Sequence, residues 1–150
     1  MPKLSEETMP GDFDLDYTAR IVRSRAWAVV TEEDVRNHVS RMRELFADGT
    51  LDGEWAQIAD FSAVTSMTEL STAGVRRLAR DNPWPATAVR AFVMPSPEVF
   101  GLGRMYQSMV GEASDTIGIV KTAASAEEWV ARHRRDRIAD VERVTHDDHS

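Results

Sequence analysis

The chain of 150 residues contains no cysteine. That removes disulfides, cysteine-ligated zinc, iron–sulfur clusters, thiol nucleophiles and dithiol redox chemistry together. It also lacks any apolar run near the ~18–20 residues that a membrane helix needs. Met1 to Asp16 is acidic, is broken by Pro2, Pro10 and Gly11, and contains no hydrophobic signal segment. A cytoplasmic location is the expectation that follows. Cations are in deficit: 18 Lys and Arg against 25 Asp and Glu leave a net charge of −7. Such a balance repels nucleic acid and anionic membranes, so neither is expected as a partner. No repeat, low-complexity tract or internal linker is visible.

What is present is one domain's worth of apolar sequence, 42% of positions. A chain of this length buries roughly 68–70% of its unfolded surface, enough for a core without staples. Residues 1–16 and 141–150 are polar and aperiodic and read as flexible ends, leaving 17–140 as a single α/β domain. Tyr17 to Val30 is rich in aromatic and branched residues and predicts a strand or hairpin. Thr31 caps a helix whose first turn carries Glu32, Glu33 and Asp34. Its stripe is Val35, Val39, Met42, Leu45 and Phe46, and Gly49 stops it. His38 borders that stripe.

Glu54 to Phe61 predicts a short buried strand ending at Asp60, followed by a loop rich in Ser and Thr. Ser71 or Thr68 then caps a second helix that Asn82-Pro83 ends. Thr87 to Met94 predicts a third strand, apolar on both faces. Ser96-Pro97-Glu98 opens a third helix with the stripe Val99, Leu102, Tyr106 and Met109. Asp115 to Lys121 predicts the last strand, and Ser125-Ala126-Glu127-Glu128 a capping box for a helix running to about Ile138. Strands alternating with helices call for an α/β layer fold with parallel neighbours after an N-terminal hairpin.

Ligands in open α/β sheets gather at the carboxyl ends of strands, which here fall at Asp60, Met94 and Lys121. Asp60, Ser62, Thr65, Ser66, Thr68 and Ser71 therefore form one group of candidate binding residues, and the helix start at Ser96 another. The same residues are ordinary turn and cap chemistry. Trp84, between two prolines, is either an exposed anchor or a lid over the core. Gly101-Leu102-Gly103-Arg104-Met105-Tyr106 is not a dinucleotide fingerprint, because Tyr106 replaces the third glycine and the glycines lie inside a helix. They suit close packing on the sheet, with Arg104 pairing on the surface or facing a partner. Phe100 and Met105 are candidate pocket walls on that helix, with Met94 and Met109 as adaptable neighbours. Arg132, Arg134, Arg135 and Arg137 read as a solvated helix face diluted by acids. The histidines, at 38, 133, 146 and 149, fall in no dense ligand spacing. There is no GxSxG elbow and no Walker A motif. No catalytic residue, metal or cofactor is therefore expected.

Asp60-Phe61-Ser62-Ala63-Val64-Thr65, together with Phe100-Gly101-Leu102-Gly103-Arg104-Met105-Tyr106 after Pro95-Ser96-Pro97 and Val30-Thr31 at the first helix, resembles the SpoIIAA-like, or STAS-like, family over roughly Asp14 to Val130. The resemblance implies a four- or five-stranded mixed sheet with helices mainly on one face, shared with Sec14-type lipid carriers. It also implies a regulatory protein-interaction module. Anti-sigma-factor antagonists of that superfamily carry a phosphorylated Asp-Ser-Ser-Gly segment. The matching positions here are Thr68, Glu69, Leu70 and Ser71, so the motif is absent and Glu69 stands where the phosphate charge would be. Two functional expectations result. One is a non-enzymatic module docking a protein partner, or itself as a homodimer, through the segment after Asp60. The other is a small-molecule or lipid-binding domain with a pocket between the sheet and helix 97–110; a filled core would favour the first, and a cavity of several hundred Å³ lined by Phe100, Met105 and Trp84 the second.

Overall fold

The computed structural model describes residues 11–67 and 69–148, with side chains left out of account at 112–114 and 137–148. It is an α/β fold. Five strands lie in one mixed sheet in the order of the sequence: β1 (Gly11–Asp16), β2 (Ile21–Val29), β3 (Ala56–Ser66), β4 (Arg90–Val93) and β5 (Ile117–Val120). β1 pairs antiparallel to β2, and every later pair is parallel. The helices among the described residues are α1 (Glu32–Ala47), α2 (Thr72–Asp81), α3 (Pro97–Met109) and α4 (Ala123–Asp148), with a short 3₁₀ segment at Gly111–Thr116. Residues of α1, α2 and α3 pack over one face of the sheet, and Ala126, Trp129 and Val130 of α4 cover the other.

The helix starts follow their local chemistry. Thr31 and Asp34 form a reciprocal capping box at α1. Ser71 Oγ accepts from Gly74 N–H at α2, and Ser96 Oγ from Val99 N–H at α3, with proline in the first turn of the latter. Gly49 sits at φ +84, the left-handed stop after α1. The cap of α4 differs from expectation: Thr122, not Ser125, accepts the first-turn amide, through Ser125 N–H to Thr122 Oγ1. α4 also continues through Asp148, past the expected end near Ile138, because nothing from Ala123 to Asp148 is glycine or proline. Residues 141–148 are thus helical rather than an aperiodic tail.

Residues 11–16 are likewise not a loose end. Phe13 and Leu15 alternate with acids, and their apolar side packs on the cluster of Val22, Met42, Leu45, Leu51, Trp55, Trp84 and Ala88. Asp12 and Asp16 pair with Arg25 and Arg23 across the hairpin. The hairpin turn occupies 17–20 without a glycine; Arg20 takes φ +55, and Asp16 Oδ1 accepts Ala19 N–H.

The largest departure is in β3. The strand does not end at Asp60 but runs on to Ser66, so the expected Ser/Thr loop is strand. Its partner is the long β2, which pairs Trp27 with Ala63, Ala28 with Val64 and Val29 with Ser66 across two register shifts. β4 stops pairing at Asp60–Val93, so this β2–β3 ribbon projects beyond the rest of the sheet, carrying exposed Trp27 and Val29.

Candidate pocket beneath the first helix

Alternation along the strands decides which residues face the three-helix layer. On β2 these are Val22, Ser24 and Ala26, on β3 Gln57, Ala59 and Phe61, and on β4 Arg90 and Phe92. The β3–β4 register sets Gln57 beside Arg90 and Ala59 beside Phe92. Among the described residues, Ser24, Gln57 and Arg90 are the buried polar ones.

Above them, α1 is tethered at its carboxyl half, where Met42 and Leu45 are buried in the cluster with Val22, Trp55 and Trp84. Over its first ten residues, 32–41, none is fully buried. Its amino end is held instead to α2: Glu32 takes Arg77 through two hydrogen bonds of 2.8 and 2.9 Å and also pairs with Arg36. Those two guanidinium groups hold the Glu32 carboxyl down to about 2. The result is a pocket of about 880 Å³ between this end of α1 and the sheet, the size range of a small-molecule site. Val35, Val39, Met67, Leu70, Phe92 and Met94 furnish apolar wall; Ser24, His38, Gln57, Arg90 and Tyr106 furnish the polar part.

The polar part is one connected network. Arg90 is 6% exposed. Its Nε donates to Gln57 Oε1 at 3.0 Å, and its Nη1 donates to Asn82 Oδ1 at 3.1 Å and to the Tyr106 hydroxyl at 3.2 Å. Three rings surround the guanidinium carbon, with centroids 5.2 Å away for Phe92, 5.5 Å for Trp84 and 5.6 Å for Tyr106. Asn82 is fixed in turn by the bend after α2, where its Oδ1 accepts Trp84 N–H and its Nδ2 donates to Trp84 O.

Because arginine only donates, Gln57 must present its carbonyl to Arg90 and its NH₂ to His38, whose Nε2 lies 3.3 Å away. His38 Nε2 is therefore the acceptor, and the ring proton sits on Nδ1. Burial, and then the Arg90 cation, push His38 down to about 4, so the ring is neutral at pH 7. Phe13 meets it edge-on at 5.8 Å. Ser24 Oγ is also 3.3 Å from His38 Nε2, superficially a nucleophile and base. The lone pair is already taken by Gln57 and the ring is a weak base, so the arrangement is built for holding a polar group rather than for removing a proton.

The residues nominated from the sequence are dispersed. Asp60 borders the pocket, and its Oδ1 accepts Ser62 N–H. Ser62 and Thr65 are exposed on the projecting part of β3, and Ser66 closes it by accepting Val30 N–H on its carbonyl. Ser71 and Ser96 are helix caps at separate places. Thr68 lies outside the described residues, as does His149; the His146 side chain is likewise not described. Trp84 is 5% exposed, meets Phe46 edge-on at 5.0 Å and is a core lid rather than an exposed anchor. Phe100 and Met105 pack against the core around Leu70, Phe92, Val99 and Ile117 without lining the pocket; α3 contributes Leu102, Gly103 and Tyr106 instead. Arg104 is exposed. Of the two helix glycines, only Gly103 has the packing role expected, since a Cβ there would lie 2.3 Å from Met94 Sδ; one at Gly101 would meet nothing within 4 Å. Arg134 leaves the solvated basic face to bind the carbonyls of Ala19, Arg20 and Glu54.

No family model matches the chain, and neither a curated protein nor a solved structure matches it. Among the described residues no group of three or more potential metal ligands occurs, and no helix is long and apolar enough to cross a membrane. Arg90, Gln57 and His38 were all missed as site residues from the sequence. The usable signal was Arg90 itself, a lone charge inside Val89-Arg90-Ala91-Phe92-Val93, read as apolar on both faces.

Proposed function

We propose that this protein binds a small, largely apolar molecule in the pocket beneath α1, as a non-enzymatic binding domain. The observation that carries the reading is the space itself. It is a cleft of about 880 Å³, open to solvent on one side, whose inner wall beside Val35, Val39, Leu70 and Met94 is apolar. The α1 end over it is fastened to α2 by Glu32 and Arg77 and reaches the strands through His38, while Val35 and Val39 stay only half-buried. The wall is methionine-rich at Met67 and Met94, which suits ligands of varied shape. Titration with the neutral dye N-phenyl-1-naphthylamine tests this. The wild-type protein is expected to bind it with a rise in fluorescence, and Ala59→Phe, which fills the floor, to weaken binding by roughly tenfold or more while still unfolding cooperatively. No binding up to the dye's solubility limit, or equal binding by a folded Ala59→Phe protein, overturns the reading.

A second reading, docking of a protein partner through the segment after Asp60, draws support from the β2–β3 ribbon. Trp27 is 38% and Val29 53% exposed there, where β3 has no further strand beside it. The two are not exclusive, since the ribbon and the pocket share Asp60 and Trp27.

A further inference from the structure

An arginine that is 6% exposed ordinarily has a carboxylate against its guanidinium, because a buried charge is costly unless paired. Arg90 has none. The ion pairs among the described residues do not include it, and its neighbours Gln57, Asn82, Tyr106, Trp84 and Phe92 are all uncharged. Of the other charged residues lining the pocket, Arg25 pairs with Asp12 and Arg41 with Glu44, while the Asp34 and Asp60 carboxylates keep their charge, accept hydrogen bonds from the Thr31 amide and hydroxyl and from Ser62 N–H, and are not among the groups against Arg90. His38 is neutral and adds no second cation.

The guanidinium is also incompletely used. Nε and Nη1 make its hydrogen bonds; Nη2 makes none. No fully enclosed side-chain nitrogen or oxygen among the described residues lacks a partner, so Nη2 must retain open surface of its own. The open space that Arg90 borders is the pocket. A cation oriented by three fixed acceptor contacts and three rings, with one nitrogen left for the cavity, is a preorganised anion contact.

Resting on the reading of the pocket as a small-molecule site, we infer that its ligand is an apolar molecule bearing a single carboxylate, bound through Arg90 Nη2. One cation matches one negative charge. A phosphate monoester, close to two charges at pH 7, leaves one uncompensated among the apolar walls. The His38 ring carries its proton on Nδ1, which makes no hydrogen bond to a described residue.

The test compares three ten-carbon probes, decanoate, decanol and decyl phosphate, as displacers of N-phenyl-1-naphthylamine from the full chain at pH 7.5. Wild type is expected to prefer decanoate to decanol by roughly ten- to a hundredfold, the range of a charge-assisted hydrogen bond, and to bind decyl phosphate less tightly than decanoate. Arg90→Met is expected to erase the decanoate preference, and Arg90→Lys to keep part of it. If Arg90→Met does not fold, the wild-type comparison still decides. Equal displacement by decanoate and decanol overturns the inference and leaves the pocket reading standing. Tighter binding of decyl phosphate overturns the carboxylate assignment. Failure of the dye and of every probe to bind overturns both.

Discussion

Lowering the pH from 7 to 5 should unlatch the polar network through His38. In the unfolded chain the ring has its ordinary value of 6.5; in the fold it is held at about 4, first by burial and then by the Arg90 cation. Between those two values the folded state binds fewer protons than the unfolded state. The neutral-ring stability is thus complete above about pH 6.5 and is lost as the pH falls towards 4. The linkage expression gives a loss of about 2 kcal/mol by pH 5, reduced to about 1–2 kcal/mol because the ring is partly exposed. Urea unfolding midpoints at pH 7, 6 and 5 measure it, compared with His38→Gln, which retains an acceptor for Gln57 but does not titrate. The other histidines and the carboxylates are common to both proteins and cancel. Wild type should lose more stability than His38→Gln over this window. Parallel pH profiles for the two would refute the assigned environment of His38, and with it the hydrogen-bond direction through Gln57.

Three further outcomes test the framework that holds the pocket. At Gly118 a Cβ would fall 2.3 Å from the indole of Trp129, which is stacked on His133, so Gly118→Ala should cost about 1–3 kcal/mol by thermal or urea unfolding. Gly101→Ala, where a Cβ meets nothing within 4 Å on a helix, should instead stabilise by about 0.5–1 kcal/mol. Thr31→Ala removes the capping box of α1 and should cost about 1 kcal/mol, and hydrogen exchange should rise first in the amino-terminal half of that helix.

The order of elements was legible because its signals are local. Thr31, Ser71 and Ser96 cap helices by contacts within three residues, Gly49 stops one by its own backbone, and Asn82-Pro83 ends another. The α/β class and the parallel sheet after a hairpin follow from that alternation. What escaped depends on pairing between distant residues. β3 continues past Asp60 because β2 is long enough to pair with it, which no property of Ser62-Ala63-Val64 alone reveals. β1 was hidden by its acids, since Asp12 and Asp16 become strand residues once Arg25 and Arg23 lie opposite them.

The pocket was not legible where it lies. From the sequence it was expected between the sheet and the third helix, walled by Phe100, Met105 and Trp84, none of which lines the space beneath α1, whose inward residues Val35 and Val39 look in the sequence like an ordinary packed stripe. Whether such a stripe closes on the sheet depends on the layer beneath it, here Ser24, Gln57 and Arg90, three polar residues drawn from three strands. His38 followed the same rule: at the border of a helical stripe it has no evident role until Gln57 and Ser24 are placed against it.

The central claim, that the space beneath α1 receives the apolar body of a ligand, is tested most directly by the methionine methyl groups. Met67 and Met94 line the pocket, whereas Met42 lies in the separate cluster with Trp55 and Trp84. With the methionine methyls labelled with carbon-13 and decanoate in excess, nuclear Overhauser contacts should run from the decanoate chain to Met67 and Met94 and not to Met42. Contacts to neither Met67 nor Met94, with decanoate bound, would place the ligand elsewhere and contradict the account.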